Sequence, residues 1–337
     1  MPMEIRTISS HNLIPVIDPV YIRQSPDEFL AENGGFLNEV AVIAKSATGF
    51  VHYRSATAPA NRETSDFFST FTSIADSIGI KVHAFINGLA DSFLGKNLGY
   101  SAVKDGGNPI KNFICPTRES YSTYLASILN EIINFPIQGL IIDNIRFPRE
   151  EYCFCERCSR KFSAFAGIDR IFSLGDLQKD PRLLDQWKKW RQDKIEQVLA
   201  TITSKIQGKK DIPLRITMDI DPVLNAEKGA VMQFGQDINL MSDYGIPVIH
   251  LSAWTPLPSS TDSSEYKVLK NSLGFLKPYQ NQSNAKDVNL FMFGVESETA
   301  LNVILKLKEE MNLTTGFIQN HFPQDYQKRR ELHLGLS

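Results

Sequence analysis

Cys115, Cys153, Cys155 and Cys158 are all the cysteines of this chain, and three of them stand in the run Cys153-Phe-Cys155-Glu-Arg-Cys158. A Cys-x-Cys-x-x-Cys run with a fourth thiol elsewhere suits four thiolates around one tetrahedral ion, the arrangement that structural zinc favours. Four thiolates leave no position open for water or substrate, so the expected zinc is closed and structural. Just upstream, Gly139-Leu-Ile-Ile-Asp143 reads as a strand that ends in a carboxylate. The thiol cluster should therefore pin a loop beside a candidate catalytic acid.

The elements that must position these groups come from short β-branched runs alternating with amphipathic stretches. Strands are predicted at 13–18, 40–45, 81–87, 139–143, 214–219, 247–251, 290–294 and 316–320, with helices clearest at 66–78, 118–133, 182–206, 264–276 and 298–311. Eight strands with helical crossovers predict an α/β fold, a (β/α)8 TIM barrel with a zinc-binding loop insertion after strand four. The whole chain, 1–337, reads as one barrel domain in which 148–180 is a zinc-knuckle excursion carrying a small helix at 159–166. The Pro-rich stretch 255–264 after strand six is a candidate lid.

In such a barrel, chemistry gathers where the strands end. The candidate catalytic carboxylates there are Asp143, Glu296, Asp219 and Asp221. Asp18, His52, Tyr53, Arg54, Asn87, Arg146, His250, Trp254, Asn320 and His321 are the candidate substrate-binding residues, with Trp254, Tyr53 and Phe147 as possible aromatic platforms. Alternation along a strand puts Arg215, Thr217 and Asp219 on one face, so polar side chains enter the barrel interior near its mouth. Trp187 and Trp190 sit three apart in a charged helix and belong to packing against the barrel or a neighbouring subunit.

Composition removes several classes. Lys+Arg 36 against Asp+Glu 38 gives a net charge of −2, which offers no basic excess for nucleic acid. No apolar run is long enough for a membrane span, and the N-terminus lacks a leader pattern, so a cytoplasmic protein is expected. No G-x-G-x-x-G or P-loop appears. The first strand lacks the His-x-His pair that barrel metallohydrolases use, which weighs against a metal-dependent hydrolase.

Two resemblances sharpen the picture. The stretch from Cys115-Pro-Thr-Arg-Glu-Ser-Tyr through Ile142-Asp143-Asn144 to Cys153-Phe-Cys155-Glu-Arg-Cys158 resembles glycoside hydrolase family 42 β-galactosidases, in which such cysteines complete a zinc site. That family's acid/base Glu after Asn falls here on Ile145, which cannot donate a proton, so the resemblance does not carry that catalytic role. More broadly, Lys81-Val-His-Ala-Phe-Ile-Asn87 and Gly139-Leu-Ile-Ile-Asp-Asn-Ile-Arg-Phe-Pro148 resemble the glycosyl-hydrolase-like 10 type of barrel, over about the first half of the chain. This implies a carbohydrate-active barrel with Asp143 in its site.

Glycoside hydrolysis uses two carboxyl groups flanking the bond. Asp143 is the first candidate, and Glu296, at the end of strand seven, its partner. If Glu296 attacks, Asp143 is the acid. A guanidinium from Arg146 beside Asp143 would instead hold it ionised, leaving Glu296, Asp219 or Asp221 to supply the proton. The competing reading is a non-catalytic barrel that binds carbohydrate or another chain, in line with the missing Glu at Ile145. A homo-oligomer is compatible with either.

Overall fold

A computed structural model describes residues 13–97, 99–169, 172–206, 212–220, 229–251, 260–282, 285–293 and 298–319. The chain runs β1 (Leu13–Ile17), α1 (Pro26–Asn33), β2 (Glu39–Lys45), α2 (Phe67–Ser77), β3 (Lys81–Asn87) and α3 (Ser92–Asn97). A hairpin of β4 (Ser101–Val103) and β5 (Pro109–Ile114) precedes α4 (Glu119–Ile132) and β6 (Gly139–Asp143). Then follow α5 (Glu156–Ala166), α6 (Leu174–Lys179), α7 (Pro181–Ile206), β7 (Leu214–Asp219), α8 (Ile238–Tyr244) and β8 (Ile246–Leu251). The last elements are α9 (Ser264–Ser272), α10 (Leu276–Gln280), β9 (Asn289–Phe293), α11 (Glu298–Glu310) and β10 (Gly316–Gln319).

Eight strands close into a barrel in the order β1, β10, β9, β8, β7, β6, β3, β2, and every pair is parallel. This is the expected (β/α)8 barrel, and the expected fourth strand is β6. The antiparallel β4–β5 hairpin stands outside the barrel, between β3 and α4. The sequence carries no strand signal here, because Pro109, Lys111 and Asn112 break the apolar alternation that marks a strand.

Strand alternation sorts the barrel interior into layers. A middle layer is apolar: Ile14, Val16, Ala41, Ile43, Phe85, Ile141, Val248, Phe291 and Phe317 form one buried cluster of their own. Two residues further along these strands lie Lys45, Asn87, Asp143 and His250, and two residues back lie Glu39, His83, Gly139 and Asn289, while β7 has Thr217 at the middle level with Asp219 above and Arg215 below it. The barrel is thus polar at both ends and greasy between.

The excursion after β6 has a core of its own. Cys155 caps α5, Gly167 ends it in the left-handed region at φ 67, and a reciprocal Ser173–Asp176 capping box starts α6. Trp187 and Trp190 of α7 stack at 5.0 Å and meet Phe162 from α5 edge-on. The two tryptophans therefore serve packing, gluing the excursion to the barrel's outer helix.

Candidate active site and cysteine cluster

Register delivers the polar mouth. Asn87 of β3 pairs with Asp143 of β6, and Asp219 of β7 pairs with His250 of β8. Asp143 Oδ1 accepts a hydrogen bond from Thr217 Oγ1 at 2.6 Å, and its Oδ2 accepts one from Asn144 Nδ2 at 2.6 Å. The Asn144 amide also reaches Asn87 Oδ1 at 3.0 Å, an orientation it gains from a left-handed backbone at φ 58. Asparagine tolerates that conformation better than most residues. His250 Nδ1 stands 3.3 Å from Asp219 Oδ1 and 3.5 Å from Asp143 Oδ1.

Arg146 corrects the sequence expectation. Its guanidinium pairs with Asp219 rather than Asp143, Nε to Oδ2 at 2.7 Å. Carbonyls of Phe147 and Pro148 accept from its Nη1, and it lies over the rings of Phe113 and Phe234, so its direction is fixed. Gln236 ties the two strand ends together, accepting from the Asp219 amide at 2.9 Å and donating to the carbonyls of Ile145 and Thr217. Ile145 itself is fully buried, and a Cβ on Gly88 would lie 2.3 Å from its Cδ1. Its side chain therefore packs into the wall, and only glycine fits opposite it.

Beneath Asn87 a buried ion pair braces the loop. Lys45 Nζ lies 3.2 Å from Asp91 Oδ2, both side chains fully buried, and donates to the Asn87 carbonyl at 3.0 Å. Tyr121 donates to Asp91 Oδ2 and, alternatively, to the Gly88 carbonyl. Burial pushes the Lys45 ammonium down from its ordinary pKa, and the Asp91 carboxylate opposes that shift. Lys45→Met would leave Asp91 charged without its partner in a dry site. We expect a loss of roughly 3–5 kcal/mol in urea unfolding, and a loss below about 1 kcal/mol would show that the pair does not brace the loop.

The four cysteines meet as expected, with one sulfur of each within 4.8 Å of every other. Cys115 Sγ lies 3.3 Å from Cys158 Sγ and 3.8 Å from Cys155 Sγ, and all four are free thiols. An ion about 2.3 Å from each of four sulfurs would set them roughly 3.8 Å apart. The cluster is compact enough to hold a metal. It joins two loops, since Cys115 follows β5 and the other three follow β6, and the Val103 amide donates to Cys153 Sγ at 3.2 Å. Burial pushes the Cys153 and Cys158 thiols up, while contacts with the neighbouring thiols pull Cys155 down. A bound cation would bring all four to the thiolate form.

Other candidates are placed elsewhere. Asp18 ends β1 and accepts from the Val20 amide, capping a short 3-10 turn. His52 is buried against Thr64 Oγ1 at 2.6 Å, and burial brings its pKa down to about 4. Tyr53 donates to Glu131 and packs against Phe68 and Phe135, so it forms part of the outer layer rather than a sugar platform. Arg54 pairs with Asp66 at the surface, and Phe147 is buried under Arg191. His52, Tyr53, Arg54 and Phe147 thus lie apart from the Asp143 cluster. Asp221, Trp254, Glu296, Asn320 and His321 lie outside the described residues.

No protein-family model matches the sequence, and no curated protein matches it in sequence. In structure the chain is similar to the glycoside hydrolase domain of PgaB (BpsB) from Bordetella bronchiseptica, with TM-score 0.66 and 13% identity over 96% of this chain and 97% of that one. It is also similar to alpha-L-fucosidase isoenzyme 2 from Paenibacillus thiaminolyticus, with TM-score 0.62 and 14% identity over 96% of this chain and 48% of that one. The likeness at these identities is one of fold. Among the described residues no helix is long and apolar enough to cross a membrane.

Asn144, Gln236, Lys45 and Asp91 are not marked as site residues by the sequence, which puts Thr217 on the inward face but gives it no role. Lys45 is within reach, since it is a polar residue on an inward strand position. Gln236 and Asp91 sit on loops, where no periodicity marks them.

Proposed function

We propose that this chain is a glycoside hydrolase acting on an oligo- or polysaccharide, with Asp143 as its working carboxylate. The observation that carries this reading is the meeting of Asp143 and Asp219 at the C-terminal mouth of a barrel shaped like glycoside hydrolase domains. Asp219 is engaged by Arg146, so its part is to anchor charge. Asp143 receives donors on both oxygens, which suits a carboxylate acting as nucleophile or base. Glu296, put by the sequence at the end of the seventh barrel strand, is proposed as the acid, with Asn87 and His250 beside the sugar. The cysteine cluster is proposed to hold a structural zinc that fixes the loops beside this mouth, because an all-sulfur donor set of four suits zinc and leaves it no open position.

A second reading is favoured by one observation. Ile145, next to Asn144 at the mouth, is fully buried in the wall, so that position offers no proton donor to a substrate, which suits a barrel that binds sugar without cleaving it. A panel of aryl glycosides and oligosaccharides separates the two. Turnover abolished by Glu296→Gln supports the hydrolase. Measurable sugar binding without turnover supports the non-catalytic barrel.

A further inference from the structure

Among the described residues, two carboxylates and one guanidinium give the Asp143–Asp219–Arg146 group one net negative charge. All three side chains are buried, Arg146 being 4% exposed. An unbalanced charge in such a place is costly. Oδ2 of Asp219 is bound by Arg146, and Asp143 is bound at Oδ2 by Asn144 and at Oδ1 by the neutral hydroxyl of Thr217. The Oδ1 of each carboxylate also faces one ring nitrogen, His250 Nδ1, at 3.3 and 3.5 Å.

We infer that His250 is a positioning residue: a buried imidazolium that bridges Asp219 and Asp143, brings the cluster to zero net charge, and fixes Asp143 toward substrate. Its surroundings agree. Asp143 faces it from β6, Asp219 from β7, and Arg146 from the segment after β6, while β9 contributes the uncharged ring of Phe291 at 4.8 Å. Burial pushes the imidazole pKa down, the Asp219 and Asp143 charges push it up, and the balance is upward. A raised folded pKa means that the bridge stabilises the protein fully below about pH 6.5, the ordinary histidine value, and fades as pH climbs through the higher folded value. Its kinetic consequence rests on the hydrolase reading, whereas the protonation itself does not.

The test is a pH titration of the imidazole nitrogens in the full chain labelled with nitrogen-15 histidine, with His250 assigned by its loss in His250→Asn. Should that variant fail to fold, the signal lost in His250→Gln gives the assignment. The expected result is a ring that titrates between its neutral and doubly protonated forms with a midpoint above the ordinary value of about 6.5, and a lower midpoint in Asp143→Asn. A midpoint at or below the ordinary value, or one unmoved by Asp143→Asn, overturns the inference. Where a sugar substrate is turned over, His250→Asn should lower kcat roughly tenfold with KM little changed and remove the alkaline limb that tracks this midpoint. An unchanged pH profile in that variant also overturns it. A high midpoint with no sugar cleaved leaves the inference standing and sinks the hydrolase reading, and turnover alongside a neutral ring does the reverse.

Discussion

Asp143→Asn is expected to cut kcat by about a thousandfold or more, equivalent to roughly 4 kcal/mol of barrier, with little change in KM. The amide keeps the shape of the carboxylate but neither attacks a sugar carbon nor takes a proton from water. Its neighbours absorb the change cheaply. Thr217 can rotate its hydroxyl to accept instead of donate, so the stability cost is about 1 kcal/mol. Asp219→Asn should behave in the opposite way. It leaves the Arg146 guanidinium buried without its 2.7 Å counter-charge, and a loss of roughly 3–5 kcal/mol should appear in urea unfolding. Steady-state kinetics and unfolding on both variants give a crossed pattern if the roles are right. An Asp143→Asn enzyme within tenfold of wild type would remove Asp143 from the chemistry.

The second large effect concerns Cys158→Ser. Cys158 is fully buried, its Sγ lies 3.3 Å from Cys115 Sγ, and Thr117 Oγ1 lies 3.4 Å away. Elemental analysis of the purified wild type should give about one zinc per chain, and the variant should retain little of it. Binding energy at a structural site is folding energy. A loss of several kcal/mol spread over a chain of this size corresponds to a Tm lower by about 6–10 °C. Chelation of the wild type should bring its Tm down to that of the variant. Metal-free wild type with the same Tm as the metal-loaded protein would end the zinc proposal.

The sequence was most legible where packing and alternation coincide. Every barrel strand lies within about a residue of its predicted span because both faces are buried, which selects β-branched runs. The meeting of Cys115 with Cys153, Cys155 and Cys158 was also readable, since loops after neighbouring parallel strands open on one face. Less legible was what joins one side chain to another. Arg146 stands three residues after Asp143, yet it turns to Asp219 because the rings of Phe113 and Phe234 and two carbonyls fix its direction. That choice depends on β5 and on residues near position 234, far away in the chain. His52 and Tyr53 looked like sugar ligands by type alone, but the loop after β2 directs them to Thr64 and Glu131.

The greasy middle layer of the barrel also acts as insulation. Arg215 and Asp219 sit on one strand four residues apart, about 13 Å at the rise of a β-strand, with Thr217 between them bonded upward to Asp143 and the apolar layer supplied by the other strands. Below it, Glu39 pairs with His83 and Lys81, while Arg215 bonds Asn289 at 2.9 Å, a polar group with its own partners. Two such groups that share no side chain should respond to substitution independently. The lower end is therefore free to drift in charge and sequence, or to be redesigned for stability, while the chemistry at the upper end is left untouched.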